Sequence, residues 1–169
     1  MTVYCIPGLA ADARVFKNIE LPGHCRKVCL DWIPPERGES LHHYALRLGL
    51  AINTSEPFAI IGLSMGGMIA VELTEHLSPV LTILISSIPS TRQLPPYYYW
   101  AGKCRLHKLV PIKLLQKASL VRRMFTTETS EAKNMLKDMI KKSDPAFIRW
   151  ALHAILSWKK EVSPSGKLI

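Results

Sequence analysis

One stretch constrains this chain more than any other: Phe58-Ala59-Ile60-Ile61-Gly62-Leu63-Ser64-Met65-Gly66-Gly67-Met68-Ile69-Ala70. Phe58 to Leu63 is a short apolar run, the pattern of a buried strand. Met65 to Leu77 reads as a helix, ended by Ser78-Pro79. No loop separates the two. A strand that turns into a helix within one residue brings the positions two before and two after the turn together. Side chains there would clash, and Gly62 and Gly66 are the residues at those positions. Ser64 is left between them in a strained turn, with its hydroxyl above the end of the strand.

The same alternation runs through residues 1–92. Val3-Tyr4-Cys5-Ile6 is an apolar run stopped by Pro7-Gly8; Arg26–Leu30 and Leu81–Ser86 read as further strands. Between them lie a short helix over Ala13–Ile19 and a longer one capped by Ser40. The longer helix has Leu41, Tyr44, Ala45, Leu48 and Ile52 on one stripe. Apolar strands alternating with helices predict an α/β fold: a mostly parallel sheet, ordered second-first-third-fourth, with flanking helices carried by right-handed crossovers. From Pro95 the pattern becomes all helix. Ala132, Met135, Leu136, Met139 and Ile140 share a face. Asp144-Pro145 opens a final helix that is apolar on most sides. The expected division is a core over 1–94, a helical lobe over 95–160, and a new core segment beginning at 161–169.

Composition narrows the class. The 169 residues are 48% apolar and 21% charged, which is globular. No apolar run reaches the length of a membrane span, and no basic leader precedes the first strand, so a cytoplasmic protein is expected. The net charge of +9 is uneven. Residues 1–96 hold 7 basic and 8 acidic groups, and residues 97–160 hold 14 and 4. That basic half fits either a solvated helical face or an attraction for anionic partners; it lacks the aromatic interleaving of a nucleic-acid groove. Cys25 and Cys29 are four strand residues apart, about 13 Å, too far for a disulfide. Cys5 reads as a core residue and Cys104 is isolated. No second pair completes zinc spacing around His24-Cys25, so neither a metal nor a cofactor is expected.

Gly62-Leu63-Ser64-Met65-Gly66 fits G-x-S-x-G, and a strand before with a helix after is the context a nucleophile elbow requires. Ser64 is then the candidate nucleophile. The backbone N–H of Met65 is one candidate oxyanion donor. The Ile6-Pro7-Gly8-Leu9-Ala10 loop supplies the other, through the Leu9 N–H, with Gly8 allowing close approach. The plainer alternatives are that Ser64 only caps the helix and that Pro7-Gly8 is only a turn. Tyr97-Tyr98-Tyr99-Trp100 suits either an acyl pocket or packing between lobe and sheet.

On the elbow, on Ile6-Pro7-Gly8-Leu9-Ala10-Ala11-Asp12 and on Glu39-Ser40-Leu41…Tyr44-Ala45…Arg47-Leu48, the chain resembles the α/β-hydrolase superfamily, in particular small bacterial hydrolases with a helical cap. The resemblance implies a small-molecule ester-like substrate, hydrolysed through an acyl-enzyme on Ser64, with no cofactor. It also implies the order Ser…acid…His. Ser86-Ser87-Ile88-Pro89 follows the fourth strand without a carboxylate, and the next strand-like run is Lys167-Leu168-Ile169. The chain is therefore expected to be a C-terminally truncated hydrolase. On that reading the edge at Leu81–Ser86 and the apolar helix 147–158 are left uncovered. His24, His42, His43, His76 and His107 read as structural or surface residues, as do Asp31, Asp138 and Asp144; His153, in the apolar helix, is the one alternative base. The alternative from another class is a non-catalytic binding or scaffold protein, or an inactive fragment of the fold.

Overall fold

The computed structural model describes residues 1–93, 130–161 and 167–169. Four parallel strands form one sheet: β1 (Thr2–Ile6), β2 (Arg26–Cys29), β3 (Phe58–Leu63) and β4 (Leu81–Ile85), in the order β2-β1-β3-β4. Among the described residues the α-helices are α1 (Leu41–Gly49), α2 (Met65–Leu77), α3 (Ser130–Lys142) and α4 (Pro145–Ser157). This is the expected α/β core. Thr2 to Ile6 pair with Phe58 to Gly62, so β1 and β3 end side by side and their following loops meet.

Alternation along each strand divides the core. Tyr4, Ile6, Phe58 and Ile60 face α1, α2 and α4; Val3, Cys5, Ala59 and Ile61 face the opposite way, onto Phe16. Ala13–Ile19 tightens to a 3₁₀ turn over Ala13–Phe16, whose N-cap Asp12 accepts from the Arg14 N–H. Ser40 caps α1 by accepting from the His43 N–H, and Asp144 caps α4 by accepting from the Ala146 N–H. The stripe of α1 outruns its helix: Ile52 is buried, but the helix stops at Gly49.

Two expectations are corrected. The β4 edge is not bare, because Lys167–Ile169 lies parallel beside it. Thr82 N–H donates to Lys167 O at 2.9 Å, Leu84 N–H to Ile169 O at 2.7 Å, and Ile169 N–H to Thr82 O at 2.9 Å. Nor is α4 uncovered. Phe147, Ala151, Ala154 and Trp158 join the core cluster beside Tyr44, and Trp150 stacks 4.3 Å from the Tyr44 ring. The expected lobe helix near Leu106–Val110, the Tyr97–Trp100 cluster, Cys104 and His107 lie outside the described residues. Among the described residues, no helix is long and apolar enough to cross a membrane.

Candidate active site

Ser64 sits between β3 and α2 at φ 52°, ψ −117°, a conformation that L-residues rarely adopt. Ser64 is the N-cap residue of α2 by position, but its side chain makes no capping bond. Backbone contacts hold the strain in place. Ser64 N–H donates to Ile85 O at 2.8 Å, and Ser64 O accepts from Gly67 N–H at 2.9 Å. The Ser87 hydroxyl adds a 2.7 Å bond to the same oxygen.

The glycines are required by space. A Cβ on Gly62 would stand 2.5 Å from Gly66 O and 2.6 Å from Gly67 N. One on Gly66 would run into the carbonyl oxygens of Ile6 and Pro7. Gly66 is thus crowded by the end of β1, rather than by Gly62 directly. Gly67, not singled out in the sequence, leaves no room for a Cβ beside Ser87. A Cβ on Gly8 would lie 3.4 Å from Ser64 Cβ, which places the loop after β1 against Ser64. That loop turns tightly: Ala11 N–H donates to Gly8 O at 3.0 Å and Ala10 has φ 60°. Among the described residues neither Leu9 N–H nor Met65 N–H has an acceptor.

The far end of this loop is pinned. Trp32 Nε1–H donates to Ala11 O at 3.0 Å. Arg14 grips Asp12 through Nε and Nη2 and reaches Asp138 on α3 through Nη1 at 2.9 Å. The Arg14 side chain, chiefly by hydrogen bonding, holds the Asp12 carboxyl below its ordinary value. Beside the loop lies a mostly apolar cavity of about 320 Å³, walled by Ala10, Trp32, Ile33, Met139 and Phe147. Its Ile33 wall is fixed by Tyr44, whose hydroxyl accepts from Ile33 N–H at 3.0 Å and donates to Ile33 O at 2.9 Å. Burial pushes that hydroxyl up to about 12.

The described histidines lie before β2, on α1, near the end of α2 and on α4. His24 precedes β2 at the opposite end of the sheet, where its carbonyl accepts from the N-terminal amine. His42 Nδ1 lies 2.9 Å from Glu72, and its ring packs 5.2 Å from His76 and 5.6 Å from His43. His153 is exposed on α4. Asp31 and Asp144 are exposed, and Asp138 is held by Arg14 and Lys142. Among the described residues no histidine or carboxylate is hydrogen-bonded to the Ser64 hydroxyl, and none forms a group of metal ligands.

A carboxylate missed in the sequence is Glu72, buried in α2. It accepts from Trp158 Nε1–H at 2.6 Å and from Lys160 Nζ at 3.4 Å, besides pairing with His42. Burial alone would raise its carboxyl; those three donors together leave it below the ordinary value. Its position mid-helix among apolar neighbours was the only sequence signal.

No protein-family model and no curated protein sequence matches the chain. Solved structures do. The bottromycin epimerase BotH superposes with TM-score 0.67 at 16% identity, over 99% of this chain and 70% of its own. MenH from S. aureus gives 0.65 at 15%, over 90% and 65%. Est816, described as an N-acyl homoserine lactone degrading enzyme, gives 0.58 at 15%, over 90% and 66%. The chain thus spans about two thirds of these neighbours, and its fold is a partial α/β-hydrolase core.

Proposed function

We propose that this chain carries the nucleophile and the oxyanion donors of a serine hydrolase acting on carboxylic esters or thioesters. Ser64 attacks the carbonyl carbon, and the N–H groups of Met65 and Leu9 receive the negative charge that develops on its oxygen. Gly8 against Ser64 lets the second donor approach. Each such donor contributes roughly 10²–10³ in rate. The observation that carries the reading is the Ser64 backbone at φ 52° with a hydroxyl that makes no capping bond to the helix it opens. The neighbours include proteins described as esterases and hydrolases, which supports hydrolysis in general terms. A serine hydroxyl attacks poorly until a base takes its proton. The reading assigns no described residue as that base or its acid, and the helical lobe over 95–160 is proposed as the cover of the site.

One observation favours a second reading, a binding or scaffold protein without catalysis: no base reaches Ser64 among the described residues. The two separate on covalent chemistry. The full chain, incubated with a fluorophosphonate and mapped by mass spectrometry, is expected to take the label on Ser64 slowly and in part, since no described residue is assigned to activate its hydroxyl, with none on the Ser64→Ala protein. A folded chain that takes no label at Ser64, even at long times, fits the binding reading and defeats the hydrolase one.

A further inference from the structure

We propose that Cys5 and Cys29 are a peroxide-sensitive thiol pair that closes into a disulfide between β1 and β2. The inference goes beyond the hydrolase reading and does not depend on it. The register places Cys5 directly opposite Cys29 on neighbouring parallel strands. Both are free thiols and both pack into the cluster around Phe16. Paired residues of adjacent strands have Cα atoms about 4.8 Å apart. That lies within the roughly 4.4–6.8 Å that a disulfide spans, and closing the bond draws the two Cβ atoms in towards the roughly 3.8 Å that bridged cysteines keep. The two thiols already sense each other. Burial first, then the neighbouring Cys29, pushes the Cys5 thiol up to about 12. Cys25 shares this face but stands four strand residues from Cys29, about 13 Å, out of bonding range.

The two thiols are not equivalent. Cys5 lies in the interior strand and is fully buried. Cys29 lies in β2, an outer strand of the sheet, and is partly exposed. Lys27, two residues before Cys29 on the same face, holds its ammonium on the carbonyls of Phe16 and Ile19 at 2.8 Å each. Cys29, the more open of the two thiols, meets the oxidant. Its sulfur attacks hydrogen peroxide, the O–O bond breaks, and Cys29 becomes a sulfenic acid as the other oxygen leaves as water with the thiol proton. The Cys5 sulfur then attacks the Cys29 sulfur; the S–O bond breaks and a second water leaves, carrying the Cys5 proton. Two thiols lose two electrons and one peroxide gains them. A small oxidant suits a thiol that is only partly open.

The bond would sit beneath both loops that wall the cavity. Cys5 precedes Ile6-Pro7-Gly8, and Cys29 precedes Leu30–Pro35. Leu30 N–H already donates to Cys5 O at 2.9 Å. Drawing the strands together there moves the base of the Gly8 loop.

The test uses the full chain with Cys25→Ser and Cys104→Ser, which leaves two of the four cysteines. Folded protein is treated with hydrogen peroxide, and its thiols are counted after unfolding. The expected count falls from two to none and returns with dithiothreitol. Trypsin then yields residues 1–14 joined to 28–37. The same joined peptide from the unsubstituted chain makes the result independent of how the variant folds. In a Cys5→Ser chain, dimedone is expected to trap Cys29 as its sulfenic adduct. Two thiols surviving peroxide, or oxidation of Cys29 without the joined peptide, would overturn the proposal.

Discussion

Replacing Gly62 by alanine should damage the chain through crowding alone, and the glycines provide their own controls. The added Cβ meets Gly66 O and Gly67 Cα at 2.5 Å and Gly67 N at 2.6 Å, where ordinary contact begins near 3.4 Å. Every one of these atoms is backbone, so no side chain can rotate away. Either α2 retreats by about 0.9 Å or β3 does, and α2 is tied at its start by Ser64 N–H to Ile85 O. Overpacking of this kind destabilises by roughly 1–3 kcal/mol. The rigid neighbours place Gly62→Ala at the upper end, about 3 kcal/mol. For a chain of this size that lowers Tm by roughly 6–12 °C. Gly38 has φ +73° and open space, so Gly38→Ala measures backbone strain without crowding, about 1–2 kcal/mol. Gly23 has neither, and Gly23→Ala should be neutral or gain roughly 0.4–1 kcal/mol by restricting the unfolded chain. Urea titrations followed by circular dichroism rank the three. If Gly62→Ala unfolds at the same urea concentration as Gly38→Ala, the elbow has room to relax and the packing argument fails.

Glu72→Gln should destabilise by roughly 1–3 kcal/mol, since it weakens the buried bond from Trp158 Nε1–H and the pair with His42, while Lys160 keeps its closer partner Glu75. The same carboxylate sets a pH dependence. Its folded value lies below its unfolded value near 4.5, so its contribution is present in full above that pH and is lost as pH falls through the folded value. Parallel acid titrations of the two proteins should therefore converge; curves that stay equally spaced down to low pH would contradict this. Asp138→Asn, by contrast, should leave Tm unmoved in moderate salt, because Arg14 and Asp138 are both well exposed. A clear fall in Tm would mean that α3 depends on this bridge.

What was legible in the sequence was local. Phe58–Leu63 and Met65–Leu77 match their observed bounds to the residue, because a buried run, a glycine-flanked turn and a Ser-Pro stop each leave a mark within a few positions. Ile52 shows the limit of periodicity: it keeps the stripe of α1 three residues after the helix has ended, since burial and not helicity is what the stripe records. Ser87 and Gly67 were invisible. Their roles depend on the end of β4 returning to the start of α2, a contact across twenty residues with no local trace. Cys25 and Cys29 read as too far apart to bridge and Cys5 as a core residue, but that Cys5 stands opposite Cys29 depends on a register that only the assembled sheet fixes. The cover of α4 failed for the same reason: its partners Tyr44 and Trp32 lie more than a hundred residues away.

The crowding around Ser64 bears on function as well as on stability. A strand–helix turn that served only to reverse the chain would relax if its neighbours allowed it, because φ 52° in a non-glycine residue costs roughly 1–3 kcal/mol. Here nothing allows it. Gly66 is pressed on the carbonyls of Ile6 and Pro7, Gly8 lies against Ser64, and Ser87 holds the Ser64 carbonyl from the far side. Among the described residues the Leu9 and Met65 N–H groups have no acceptor. On the proposed hydrolase reading, Ser64 and the N–H groups of Leu9 and Met65 would together meet the charge that develops on a bound carbonyl oxygen. The expense in stability has a purpose if such an oxygen arrives there, and the fluorophosphonate experiment asks whether it does.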